Sequence, residues 1–119
     1  MIEDRPLFVQ IVQQLEASII DGSLPEESQV PSTNELAAFH RINPATALKG
    51  VSRLVADGVL YKRRGIGMFV TTGARDLLLQ RRRAAFADEY VRPLVEEARR
   101  LGLRPDELHD LVNQAVVAP

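Results

Sequence analysis

Arg41, Lys49, Arg53, Lys62, Arg63 and Arg64 stand between residues 40 and 70 against a single anion, Asp57. Six positive charges against one negative leave that segment at +5. Residues 1–39 are the reverse: one cation, Arg5, faces Glu3, Asp4, Glu16, Asp21, Glu26, Glu27 and Glu35, seven anions, for a net −6. The whole chain of 119 residues carries only −1, an average that conceals the separation. Local patches, not the total, steer a charged partner and neutralise phosphates. A cationic helix followed by a cationic hairpin is the electrostatic footprint of a surface that grips a phosphate backbone.

Other chemistries find little to work with. Cysteine is absent, which removes disulfides, thiolate ligands and thiol nucleophiles and fits a reducing compartment. The chain has no phosphate-cradling Gly-Lys motif and no nucleophile with a matched histidine and carboxylate. His40 and His109 have no partners at metal-ligand spacing and read as structural or exposed residues. No catalytic residue, cofactor or metal site is expected, and the chain does not read as an enzyme. Apolar runs such as Ala115 to Ala118 are far too short to cross a membrane. Met1-Ile2-Glu3-Asp4 is acidic and lacks the basic and apolar regions of a signal peptide. The expected location is the cytoplasm, with no membrane partner.

The elements that must position the cations follow from periodicity and punctuation. Pro6 opens a first helix over about Leu7 to Asp21, with Phe8, Ile11, Val12, Leu15 and Ile19 on one stripe and Gly22 ending it. Residues 23–31 form a loop with a very short strand near Gln29. Ser32-Thr33-Asn34-Glu35 is a capping box. It predicts a short helix to about His40 that buries Leu36 and Ala37, with Phe39 a further candidate. Arg41 and Ile42 make a tight connection. Asn43 suits an N-cap and Pro44 the first helical position, so a third helix runs from there to Asp57 and stops at Gly58. Its spacing points Ala47, Val51, Leu54 and Val55 inward, and Thr46, Lys49, Arg53 and Asp57 outward.

Val59-Leu60-Tyr61-Lys62 and Met68-Phe69-Val70-Thr71 read as paired strands, with Gly65 and Gly67 permitting the turn between them. After the linker Thr71-Thr72-Gly73 comes a long helical segment, about Arg75 to Leu101, and a last helix over about Asp106 to Val117. Pro93 predicts a kink or break near Val91-Arg92. Arg81-Arg82-Arg83 spread around a helix and read as solvated charges balanced by Asp88, Glu89, Glu96 and Glu97.

Two helices joined by a short turn and followed by a two-stranded wing make a winged helix-turn-helix. The second helix of such a pair enters the major groove with its first turns toward base edges. Those turns carry Asn43, Ala45, Thr46 and Lys49: Thr46 can bond a base or phosphate, Ala45 can touch a thymine methyl, and Lys49 can reach guanine or phosphate. Arg53 lies further along the same face. Ser32, Thr33 and Asn34 present amide donors suited to a phosphate. Arg63 and Arg64 can neutralise phosphates or enter the minor groove, and Gly65 and Gly67 permit close backbone approach.

The segments Pro6-Leu7-Phe8 with Gln10-Ile11, Val30-Pro31-Ser32-Thr33 with Glu35-Leu36-Ala37, and Asn43-Pro44 with Thr46 resemble the GntR family of bacterial transcription regulators. So do Leu54 with Gly58-Val59-Leu60, and Arg63-Arg64-Gly65-Ile66-Gly67-Met68-Phe69-Val70. The likeness covers about residues 6–70, and the short helical tail resembles the YtrA-type branch, which lacks a separate ligand-binding domain and dimerises through such helices. The resemblance implies operator binding as a dimer, most often for repression. Asn34 stands where the family commonly has a DNA-contacting arginine, and Arg41 where a turn glycine is common, so that Arg41 adds a candidate phosphate contact.

The expected architecture is therefore mainly α with a small β-hairpin. A winged helix-turn-helix spans residues 1–72 and a helical dimerisation hairpin spans 73–119. Leu77, Leu78, Leu94, Leu101, Leu108, Leu111 and Val112 exceed what two isolated helices can bury, which points to a second copy of the chain. The expected partners are double-stranded DNA bearing an inverted repeat and the homodimer mate. The alternative is a winged-helix module whose cationic face meets an acidic protein. A small-molecule effector stays open, with the dimer interface or the side of the wing as the place for it.

Overall fold

In the computed structural model, residues 6–118 are described, so the acidic stretch Met1–Asp4 lies outside the described residues. Two compact units divide between Gln80 and Arg81. The first contains α1 (Leu7–Asp21), α2 (Thr33–His40), α3 (Pro44–Ala56), β1 (Leu60–Arg63), β2 (Gly67–Val70) and the start of α4 (Ala74–Phe86). The second contains the rest of α4, a π-helical turn (Ala87–Val91), α5 (Arg92–Arg100) and α6 (Pro105–Val117). Among the described residues no helix is long and apolar enough to cross a membrane.

The local signals act as their chemistry dictates. Gly22 takes the left-handed conformation that closes α1. At α2, Ser32 Oγ accepts from the Glu35 amide at 3.1 Å, while Glu35 Oε1 accepts from the Ser32 amide at 2.8 Å. Arg41 closes α2 with φ at 56°, a conformation a residue with a Cβ adopts at some cost. At α3, Asn43 Oδ1 accepts from the Ala45 amide at 2.7 Å and Pro44 occupies the first turn.

The core of the first unit joins Ile11, Val12, Leu15 and Ile19 of α1 to Leu36 and Ala37 of α2 and Ala47, Val51 and Leu54 of α3. Val59, Leu60 and Val70 close it from the hairpin, and Ala74 and Leu78 extend it into α4. This core therefore reaches several residues past Thr72. Phe39, a candidate for burial, is instead 77% exposed. It shares a face with Leu36 but sits next to the last residue of α2, where its ring lies edge-on to that of His40 at 4.9 Å.

The hairpin pairs antiparallel, with Leu60 opposite Val70, Tyr61 opposite Phe69, Lys62 opposite Met68 and Arg63 opposite Gly67. The Ile66 amide closes the turn onto the Arg63 carbonyl at 2.9 Å. The short strand expected near Gln29 is a single bridge to Phe69, flanked by bonds from the Val30 amide to Met68 and from the Val70 amide to Ser28.

In the second unit, the break expected near Val91-Arg92 takes the form of the π turn. Pro93 has no N–H to donate to Glu89, and the ladder lengthens there, with the Arg92 amide reaching the Ala87 carbonyl. Gly102 is left-handed between α5 and α6, and the Leu103 amide bonds back to Ala98 at 2.9 Å.

Candidate nucleic-acid interface

Burying Ala47, Gly50, Val51 and Leu54 against α1 and α2 fixes which side of α3 is left to solvent. Asn43, Ala45, Lys49, Ser52 and Arg53 are exposed and Thr46 is half-buried. The face that sequence spacing assigned outward is thus outward, supported from below by a packed core. Val55, expected inward, packs only partly against that core. Arg53 approaches Asp57 one turn later at 4.0 Å, both exposed enough that the pair adds little stability.

Several of the expected groups are engaged inside the protein. The Ser32 hydroxyl is occupied as the α2 cap, and the Asn43 side-chain oxygen as the α3 cap. Asn34 is exposed and Thr33 half-buried beside them. Arg41 is exposed in the connection between the two helices. Lys49 Nζ lies 4.3 Å from the centre of the Phe8 ring, and Arg63 Cζ lies 4.7 Å from that of Phe69. Both cations are held over aromatic faces, an attraction of about 0.5–1 kcal/mol at such exposed sites. Arg64 is exposed at the hairpin tip with Gly65 next to it, and Gly67 follows with φ at 147°.

Residues that spacing did not single out also belong to this surface. Leu48 is 53% exposed on α3. With Val51, Val55, Lys62, Ile66 and Met68 it lines a cleft of about 470 Å³ between α3, the start of α2 and the wing. Ile66 is exposed at the wing. An apolar residue next to outward-facing Thr46 and Lys49 was the available sign of Leu48, but alone it cannot be told from a core position.

The wing is tied to the loop before α2 by a carboxylate. Glu27 accepts from the Thr72 hydroxyl on one oxygen and from the Tyr61 hydroxyl on the other, and its amide donates to the Val70 carbonyl at 2.8 Å. These hydroxyl donors, Thr72 first and Tyr61 second, hold the Glu27 carboxyl below the usual glutamate range. The same bond to Glu27 raises the Tyr61 phenol. Gln29 Nε2 donates to the Ile66 carbonyl at 3.1 Å and so supports the turn.

The predicted dimer residues divide. Leu78 is 3% exposed within the core of the first unit, and Leu77 packs against that core. Leu78 is therefore corrected from an intermolecular to an intramolecular position: the first turns of α4 join the core of the first unit, where Arg75 Nε donates to the Ile20 carbonyl at 2.8 Å. In the second unit, Leu94, Leu101, Leu108, Leu111 and Val112 line one side of an apolar groove of about 520 Å³ with Val116. Among the described residues no cluster of His, Asp and Glu is arranged to hold a metal ion.

With two capped helices, an exposed outer face on α3 and a cationic hairpin beside it, residues 7–70 match the bacterial regulatory proteins of the gntR family. The chain belongs to that family. The repressor YtrA of Bacillus subtilis is 26% identical over 109 residues, which span 92% of this chain and 83% of that protein. A transcriptional regulator from Oenococcus oeni has the same fold, with a TM-score of 0.82 and 24% identity over 98% of this chain and 95% of that one. The DNA-binding domain of AraR, in complex with operator ORX1, superposes with a TM-score of 0.55 and 28% identity over 56% of this chain and 81% of that domain. This GntR protein is a winged helix-turn-helix regulator of transcription, not an enzyme.

Proposed function

We propose that this regulator binds an inverted-repeat operator in double-stranded DNA as a homodimer, and that it represses transcription in the cytoplasm. The observation that carries the reading is the outer face of α3. Ala45 and Lys49 are exposed and Thr46 half-buried in the first turns of a helix whose opposite side is packed into the core, the arrangement a major groove requires. The DNA-bound state of AraR and the repressor activity in the name of YtrA support the same direction.

In this reading Thr46 and Ala45 meet base edges. Thr33, Asn34, Arg41, Arg53 and Arg64 face phosphates, Lys49 reaches guanine or phosphate, and the glycines Gly65 and Gly67 allow close approach. The apolar groove formed by Leu94, Leu101, Leu111, Val112 and Val116 supports pairing with a second copy, since such a surface is costly to leave in water. A winged unit over residues 1–72 and a dimerising tail over 73–119 remain the functional division of labour. A small-molecule effector, if one exists, belongs between the paired tails or beside the wing.

The test is selection from a randomised duplex pool, followed by binding titrations of the selected duplex at several salt concentrations. The expected result is an inverted repeat with half-sites about one or two helical turns apart. Each neutralised phosphate should add about −0.9 to the slope of log affinity against log salt. Absence of an enriched sequence, or affinity indifferent to salt, would refute the reading.

A further inference from the structure

Phe8 opens the apolar stripe of α1, yet the core takes only the four members after it: Ile11, Val12, Leu15 and Ile19 are buried and Phe8 is half-exposed. Its ring is covered instead by the ammonium of Lys49, 4.3 Å from the ring centre. Two features enforce that meeting. Gly50 directly follows Lys49, and a Cβ there would stand 3.0 Å from the Phe8 carbonyl oxygen and 3.3 Å from the Ile11 side chain. A side chain at this point would press α3 away from α1 by a few tenths of an ångström, and the close approach that glycine permits sets the Lys49 ammonium over the Phe8 ring. Lys49 also has a long flexible stem, whose freedom the ring restricts before any partner arrives.

We propose that Phe8 is a positioning residue for DNA recognition: it holds Lys49 on the α1 flank of α3 and so assigns this lysine to the phosphate backbone instead of to base edges. The proposal rests on the reading of α3 as the groove-facing helix and narrows it. Sequence discrimination then falls to Ala45 and Thr46, one turn earlier, while Lys49 adds affinity that is uniform over sequences. The wing repeats the device, with Arg63 held over Phe69 and Arg64 left to reach outward. A lysine fixed in advance loses less freedom on binding than a mobile one.

The test is a double-mutant cycle, Phe8→Leu with Lys49→Met, read by binding to the selected duplex and to a scrambled duplex. Leucine keeps the apolar bulk and removes the ring face. Thermal denaturation of each variant and the Phe8→Tyr variant control for folding. The expected result for Phe8→Leu is a two- to five-fold rise in Kd on both duplexes alike. The melting temperature should fall by no more than a few degrees, the loss of the ring contact alone, with cooperative unfolding kept, and binding should be restored in Phe8→Tyr. In the Lys49→Met background, Phe8→Leu should have no further effect. Equal effects of Phe8→Leu with and without Lys49 would overturn the positioning role, as would tighter binding in Phe8→Leu or a loss confined to the selected duplex. Wild-type protein that binds no duplex would instead overturn the underlying reading, and this proposal with it.

Discussion

The carboxamide of Gln29 lies directly over Gly67: its Nε2 is 2.6 Å from where a Cβ on that glycine would stand. The same nitrogen donates to the Ile66 carbonyl at 3.1 Å. The wing is thus steadied from the loop before α2 by a side chain that occupies the place a Cβ on Gly67 would take. Gly67→Ala forces the carboxamide away, breaks its bond to the turn and places a side chain at a φ of 147°. Strain and the broken bond together should cost about 2 kcal/mol. Thermal denaturation should show a drop of roughly 8 °C, and an unchanged melting temperature would mean that the turn does not depend on this glycine.

At Gly50 two effects oppose each other. Alanine favours a helix interior over glycine by about 1 kcal/mol. The added methyl, however, meets the Phe8 backbone oxygen and the branched Ile11 side chain, neither of which can swing aside. Overpacking of this kind typically costs about 1–3 kcal/mol. Gly50→Ala should therefore be destabilised by about 1 kcal/mol, measurable by urea denaturation, whereas a net gain would mean that α1 yields freely.

The elements were legible where local chemistry decides them. Pro6, the Ser32–Glu35 box, Asn43-Pro44 and the glycines at 22 and 58 fixed helix ends that the core then confirmed, because caps depend on neighbours within four residues. The outward face of α3 followed from the spacing of Ala47, Val51 and Leu54. What sequence could not reveal depended on contacts between distant segments. Leu78 turned inward because the start of α4 joins the core beside the end of α1, and Phe39 was left outside at the end of α2, against His40. The rings beneath Lys49 and Arg63 come from α1 and from β2, and no spacing rule links Phe8 to a lysine 41 positions on.

The bonds from Thr72 and Tyr61 to Glu27 predict a pH dependence with a definite sign. A carboxyl held below its usual range when folded binds protons more readily unfolded. Its stabilisation is therefore complete above the ordinary glutamate pKa and is lost as pH falls through the lower folded value. Melting temperatures of wild type and Glu27→Gln should differ at neutral pH, with wild type higher, and converge in acid. A gap that persists at the acid end would place the stabilisation elsewhere.

Arg64, at the exposed tip, should act as a phosphate ligand without sequence preference. Arg64→Ala is expected to weaken selected and scrambled duplexes alike and to reduce the magnitude of the salt slope by about 0.9 for each phosphate it no longer neutralises. Thr46→Ala should do the opposite, costing about 1–3 kcal/mol on the selected sequence and relaxing preference at one base position. Swapped outcomes in the same titrations would reverse the assignment of roles.

The groove of the second unit sets the expected assembly. A glutamate at Leu111, exposed on its rim, would place a charge in the proposed interface. Sedimentation should show wild type as a dimer and Leu111→Glu as a monomer that still melts cooperatively. Dimers of undiminished strength in Leu111→Glu would move the interface off this groove.

Amide chemical-shift mapping during titration with the selected duplex tests the orientation of α3 head-on. The largest changes should fall at Asn34, Ala45, Thr46, Lys49 and Arg64, with the apolar groove of α5 and α6 unaffected. Silence along the outer face of α3, with the changes falling instead on α5 and α6, would show that this helix does not meet the duplex.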